Sequence, residues 1–177
     1  ADLELFRDNF KRFMSEHVAP HYDQWEREGI MPRSVWNLLG ENGFLCVDVP
    51  EEYGGYGVPT HYSLMLVEES ARAGYCALST AISCHSEIAA PYIQHIGTEE
   101  QKQYWLPKMV SGEAVGAIGM TEPGAGSDLQ AMRTSAILQG DHYILNGSKT
   151  FISNGQHADV VVLAVKTDPQ ARAKGVS

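Results

Sequence analysis

The chain has 177 residues, 44% of them hydrophobic, and 13 basic against 22 acidic side chains leave a formal net charge of −9. That balance argues against nucleic acid as a partner. The longest apolar run, residues 158–165, is interrupted by Asp159 and is too short to cross a bilayer, so a membrane span is not expected. No basic-then-apolar leader opens the sequence, and Cys46, Cys76 and Cys84 are odd in number with no Cys-x-x-Cys pair. Buried, reduced thiols in a cytosolic or organelle-matrix setting are the expectation, without a disulfide or zinc framework.

Leu3, Phe6, Phe10, Phe13, Met14 and Val18 recur at three- and four-residue steps, which predicts a helix with Arg7, Lys11 and Glu16 on its wet face. Pro32 can open a second helix that turns Val35, Leu38 and Leu39 inward and ends at Gly40 or Gly43. After a Gly-rich loop at residues 53–57, longer helical patterns cover 61–73 and 76–96, the latter rich in small side chains that permit close helix contact. Gly97 stops that pattern, and Thr98 with Gln101 three positions later reads as a capping box for a helix running toward Met109. Beyond Gly112 the segments 114–120, 134–138, 142–145 and 160–165 are short and β-branched, hence predicted strands. Gln139-Gly140-Asp141 and Asn146-Gly147 supply turn chemistry between them. The expected fold is α+β: an all-α domain over residues 1–112 followed, without a flexible linker, by a β domain over 113–177.

One stretch carries chemistry: Gly119-Met120-Thr121-Glu122-Pro123-Gly124-Ala125-Gly126-Ser127-Asp128. Gly124 and Gly126 can adopt backbone conformations closed to other residues, freeing amides to converge on an anion, while Thr121 and Ser127 add hydroxyls. A tight surface turn explains the same residues equally well. A carboxylate facing a phosphate would repel it, so Glu122 is expected to turn away and pair locally, and Asp128 to cap the turn. Glu68 and Glu69 are adjacent on a helix and read as a solvated face. The seven histidines show no metal-ligand spacing, so no metal site is expected and packing roles are assigned to each, His85 and His95 included.

The order Met-Thr-Glu-Pro-Gly-Ala-Gly-Ser-Asp-Leu at 120–129 resembles the signature of the acyl-CoA dehydrogenases, and Asn146-Gly147-Ser148-Lys149-Thr150-Phe151-Ile152-Ser153-Asn154-Gly155 is similar to their second flavin-contacting segment. Pro50 to Gly55, Ile96 to Lys102, Leu106-Pro107 and Gly112-Glu113 resemble further landmarks in the family's order, and among subfamilies the pattern is most like the long-chain type. The resemblance implies a helical domain followed by an incomplete β-barrel, with FAD held between them. It implies Ile118, Gly119, Met120 and Thr121 along the flavin's polar edge, and Gly126 and Ser127 as a pyrophosphate cradle, with Ser127 also near the substrate's pantetheine arm. Phe151, Ile152 and Ser153 would flank the ring, where the family more often has a Trp-x-Thr pattern.

The implied activity is α,β-dehydrogenation of an acyl-CoA in fatty-acid β-oxidation, with electrons passed to an electron-transferring flavoprotein by a homotetramer in the bacterial cytoplasm or mitochondrial matrix. The family's glutamate base falls past Ser177, so no catalytic residue is assigned, and 177 residues alone are expected to be inactive. The last residues, 174–177, resemble the lead into a further family strand. An acyl-CoA oxidase or flavin monooxygenase of the same fold, or a non-catalytic assembly or binding protein, are the alternative readings.

Overall fold

The computed structural model describes residues 2–168 and 170–177. Helix α1, Asp2–Phe13, continues through a wider π turn, Met14–Val18, in which the Ala19 amide donates to the Met14 carbonyl at 2.8 Å. A short helix α2, Tyr22–Glu28, follows and was not anticipated. Only Tyr22 and Trp25 in it are apolar, too few to show a period, and it forms because Trp25 is buried and Gly29 closes it in the left-handed conformation. Helix α3, Arg33–Glu41, begins directly after Pro32 and buries Val35, Trp36 and Leu39.

Helix α4, His61–Arg72, matches the expected pattern, with one correction. Glu68 does lie outside, bonded to Arg72, but Glu69 is buried and takes ion pairs from Arg7 at 3.2 Å and Lys11 at 3.4 Å. The wet face of α1 therefore packs its cations onto α4. The segment 76–96 is helical throughout but not uniformly: α5, Cys76–Ser83, passes into a second π turn, Cys84–Ala89, and then α6, Ala90–Ile96. Cys76 is exposed, contrary to expectation, while Cys46 and Cys84 are buried. Helix α7, Glu99–Val110, opens on the capping box, with the Gln101 amide donating to Thr98 Oγ1 at 3.3 Å and the Thr98 amide donating to Gln101 Oε1 at 2.9 Å. After it, Gly112 is left-handed and lies against the Trp36 carbonyl, so a side chain is excluded twice over.

Two small sheets follow. Strand β1, Gly116–Gly119, pairs in parallel with β4, Val160–Leu163, in the register Gly116 to Val160 and Gly119 to Leu163. Strands β2, Ser135–Gln139, and β3, His142–Asn146, form an antiparallel hairpin around left-handed Gly140. The anticipated Asn146-Gly147 turn is instead the end of β3, where Gly147 lets the backbone pass close to Thr134. The sheets meet at Lys166, whose amide donates to Thr134 O at 2.8 Å and whose carbonyl accepts from Ala136 N at 2.9 Å. Residues 176–177 pair back antiparallel to 165–166. No closed barrel forms among the described residues.

The core lies in the helices. Phe10, Phe13, Trp36, Leu39, Phe44, Leu66, Leu78 and Ile82 form its main cluster, and Phe44 packs edge-on against both Phe10 and Phe13. A second cluster around Cys46, Val49, Tyr53, Ala90, Leu106 and Met109 sits under α6 and α7. No helix among the described residues is long and apolar enough to cross a membrane.

Candidate functional site

Leaving β1, the chain is clamped to a segment that follows β3. Lys149 Nζ donates to the Met120 carbonyl at 3.0 Å and to Glu122 Oε1 at 2.8 Å, and the Thr150 amide donates to the Thr121 carbonyl at 2.9 Å. Glu122 and Ala125 exchange both backbone hydrogen bonds, closing a tight turn over Pro123 and Gly124. The Glu122 carboxylate turns inward, as the sequence reading expected, and also accepts from the amides of Arg133 at 2.6 Å and Thr134 at 3.0 Å. Burial alone pushes this carboxyl up. The Lys149 ammonium and the two amides outweigh that effect and hold it at about 2. Glu122 is thus a structural anion, with both oxygens spent. Asp128 caps the next short turn, accepting from Gln130 N at 3.2 Å.

The clamp sets six of the nine sequence-nominated residues around one cleft. Ile118, Met120, Thr121, Phe151, Ile152 and Ser153 form one wall, and Val67 of α4, Ser79, Thr80 and Ser83 of α5, and Cys84 and Ile88 of the π turn form the other, around a space of about 390 Å³. Ser79, Thr80, Ser83 and Cys84 keep most of the helical wall small, and Ser79 Oγ donates to the Val67 carbonyl at 3.0 Å. On the opposite wall Phe151 has a φ of +56°, unusual for a bulky residue, and its side chain is 92% exposed. Asn154 is also left-handed and is pinned by Nδ2 to the carbonyls of Ala81 and Gly116 at 3.0 and 3.2 Å.

Gly119, the seventh, lies in β1 facing Leu163 and Lys149 rather than the cleft, and its carbonyl accepts from Ala164 N. Gly126 and Ser127 do not line the cleft; they follow the tight turn and are exposed. The expected conformations of Gly124 and Gly126 need correction, since neither has a positive φ. Their lack of a side chain has a different consequence: a Cβ at either would meet nothing within 4 Å, so the backbone is approachable from outside.

The packing role given to His85 holds, but sequence reasoning missed the contacts that hold this wall onto the helices. His85 is fully buried between the Met109 carbonyl, 3.0 Å from Nε2, and the Gly116 amide, 2.9 Å from Nδ1. The Gly116 N–H requires an acceptor, so Nδ1 is unprotonated and Nε2 carries the hydrogen. Burial depresses this imidazole to about 4, against the Met109 carbonyl, which favours the charged form. Asp159 Oδ2 accepts from both Val115 N at 2.9 Å and Arg33 at 3.0 Å, and Arg33 also donates to Gly112 O at 2.8 Å. His157 Nε2 lies 2.7 Å from the Met31 carbonyl. None of these partners is near its mate in sequence, so no local pattern announced them.

The cleft thus brings Ile118, Met120, Thr121 and Ser153 together with an exposed aromatic at 151, while the approachable Gly124 and Gly126 lie outside its lining. Comparison with known proteins agrees on the family. Residues 1–113 match the family described as "Acyl-CoA dehydrogenase, N-terminal domain" and residues 117–177 match "Acyl-CoA dehydrogenase, middle domain". The mitochondrial long-chain specific acyl-CoA dehydrogenase of Sus scrofa is 42% identical across 100% of this chain, which spans 41% of that protein. The crystal structure of an acyl-CoA dehydrogenase from Geobacillus kaustophilus is 51% identical with a TM-score of 0.95, covering 100% of this chain and 47% of that one. An acyl-CoA dehydrogenase from Bacillus anthracis, solved in complex with FAD, is 33% identical with a TM-score of 0.83 over 95% of this chain and 30% of its own. The 177 residues thus span less than half the length of these relatives. Matched along its length by two consecutive domains of one kind of enzyme, the chain belongs to the acyl-CoA dehydrogenase family.

Proposed function

We propose that the protein carrying this chain is an FAD-dependent dehydrogenase that converts acyl-CoA thioesters to trans-2-enoyl-CoA in fatty-acid β-oxidation and hands the electrons to an electron-transferring flavoprotein. The cleft where Thr121 and Ser153 face α5 carries this reading. No side chain accepts a hydride, so the bound flavin would supply that capacity. Thr121 and the backbone at 118–121 would hold the ring's polar edge, where donors favour developing negative charge. Phe151 would cover a ring face, Ile152 and Ser153 would flank it, and the open backbone at Gly126 with the Ser127 hydroxyl would take the diphosphate. Ser127 would also meet the substrate's pantetheine arm.

The base that removes the α proton belongs outside these 177 residues. Glu122 is excluded from that role because its oxygens are committed to Lys149, Arg133 and Thr134. Straight medium-to-long acyl chains are the proposed substrates, the resemblance to the long-chain type supporting that choice, and a homotetramer the proposed assembly. Residues 1–112 and 113–177 are the proposed domain units.

The test is the visible spectrum of the whole protein, followed anaerobically as acyl-CoAs of graded length are added. A flavin spectrum bleached by the longer straight-chain thioesters supports the reading. A colourless protein, or, in a parallel aerobic assay, a flavin whose turnover consumes oxygen with no dye or flavoprotein acceptor, contradicts it in favour of a binding protein or an oxidase.

A further inference from the structure

Phe151, Ile152 and Ser153 form a short span held at both ends. At its start the Thr150 amide donates to the Thr121 carbonyl at 2.9 Å. At its end the Asn154 side chain enters the seam between α5 and β1, where Nδ2 donates to the Ala81 carbonyl at 3.0 Å and to the Gly116 carbonyl at 3.2 Å. Asn154 takes a φ of +63°, a left-handed conformation that asparagine adopts more readily than most residues. The Gly155 amide donates back to the Ile152 carbonyl at 3.0 Å and the His157 amide to the Asn154 carbonyl at 2.9 Å, closing two consecutive turns on that point. Ser153, next to it, lines the cleft, and its carbonyl accepts from Cys84 Sγ of the π turn at 3.8 Å. Gly116 is held on both sides, its amide by His85 Nδ1 and its carbonyl by Asn154. Three pieces of the cleft therefore meet at one side chain: α5 carries Ser79, Thr80 and Ser83, β1 carries Ile118, and the span carries the rest of the opposite wall.

We infer that Asn154 is a positioning residue of the cleft, an obligate hydrogen-bond donor whose amide fixes Ser153 against α5 and β1 and so sets how tightly the flavin is held. The effect on flavin rests on the reading of the cleft proposed above; the pin itself rests on the geometry alone. A carboxamide nitrogen carries two hydrogens, and two carbonyls take both. A reversed amide, or a carboxylate in its place, would set an acceptor oxygen against two acceptors.

Two substitutions separate the donor from the backbone. Asn154→Gly keeps the left-handed conformation without strain and removes only the side-chain hydrogen bonds. Asn154→Asp keeps the shape and reverses the role: the two carbonyls oppose its ionisation, and protonation restores one donor. The ionisable groups nearby are Tyr22 and Glu26 of α2 and His157, which line a cavity of about 500 Å³ with Asn154, together with His85 across Gly116 and Cys84 across Ser153. All are present in wild type, so wild type measured in parallel accounts for their titration.

The experiment uses the whole protein, wild type, Asn154→Gly and Asn154→Asp, stripped of flavin and titrated with FAD from about pH 8 down to about pH 5, with the visible circular dichroism of the bound flavin recorded at saturation. At the alkaline end both variants should bind FAD about tenfold or more weakly than wild type and show an altered flavin band. On acidification Asn154→Asp should regain part of the loss relative to wild type and its band should move back, while Asn154→Gly does neither. A residue that served stability alone would lower the unfolding midpoint without this divergence. Variants that bind FAD as wild type does, or an aspartate variant that parallels the glycine variant at every pH, would overturn the inference. Hydrogen exchange on the flavin-free protein needs neither FAD nor a folded aspartate variant. There Asn154→Gly should speed exchange of the Thr150 amide, at the far end of the span, by about tenfold or more while α1 and α3 stay protected, and an unchanged rate would overturn the pin. A wild type that binds no FAD would instead strike the flavin reading, and the exchange result would then decide the pin by itself.

Discussion

The helical and strand regions of this chain are held together by different forces. Between Asp2 and Val110 most large apolar side chains are interior, and Phe10, Val18, Leu39 and Ile82 are wholly removed from water. From Gly116 onward the strands are thin. Every residue of β3 is exposed, as are Ile137 and Leu138 of β2. What fastens the strand region to the helices is the packing of Ala114, Val115, Val160 and Val162 on the helical clusters together with a short set of polar latches: His85 to Gly116, Asp159 to Arg33, Asn154 to Ala81, His157 to Met31. Burial sums over many small contacts, so its cost scales with the size of the side chain removed. A latch rests on a single hydrogen bond, and breaking it leaves an orphaned partner desolvated. The candidate cleft lies on the seam between the two regimes, with one wall from each.

That contrast can be broken in several ways, measured by denaturant unfolding of the 177-residue chain. Phe10→Ala should cost most, about 3–5 kcal/mol, through the cavity it leaves under Phe13 and Phe44. Lys149→Met should cost about 3 kcal/mol because Glu122 is then a buried, unpaired charge. It should also free the 120–122 and 149–150 amides to exchange while α1 and α3 stay protected. His85→Leu should cost about 2–3 kcal/mol by orphaning the Gly116 amide and the Met109 carbonyl, again loosening the strands before the helices. Leu145→Ser on exposed β3 should fall within about 0.5 kcal/mol of wild type. If Leu145→Ser rivals Phe10→Ala, the comparison is wrong.

Acid should separate the regions further. The His85 imidazole is held down at about 4 when folded, against 6.5 when free, so the unfolded state binds more protons and stability is lost as pH falls through that window. Glu122, depressed from 4.5 to about 2, loses its contribution as pH falls through a lower one. Hydrogen exchange on acidification should therefore show β1 opening first, then the Met120 to Glu122 clamp, with the Phe10 cluster last. Simultaneous opening would contradict the two-regime account.

The helices were legible because their physics is local. The three- and four-residue spacing from Leu3 to Val18, Pro32 before Arg33, and Thr98 with Gln101 each state a boundary within one turn of chain. The two π turns were not legible, since an extra residue in a turn leaves the apolar spacing nearly intact. Nor was α2, which exists because tertiary contact buries Trp25. Within the cleft, the motif segments 118–121 and 151–153 were found from their order of residue types, and the inward pairing of Glu122 from electrostatics alone. The burial of Glu69 was misread because its cations, Arg7 and Lys11, sit on another helix. His85 was given a packing role, which its burial bears out, but its partners and those of Asp159 and Asn154 were not read, because each acts on a backbone group far away in sequence.

The cleft's occupant is the central claim, and flavin content tests it most directly. The whole protein should purify with one FAD per chain. Thr121→Val combined with Ser153→Val should lower its affinity for added FAD by about tenfold or more, as expected for the loss of two hydroxyl contacts, while leaving the unfolding midpoint of the flavin-free chain in place. A wild-type protein that neither carries nor binds FAD, or a double variant that binds it as tightly as wild type, would show that this cleft does not hold the flavin.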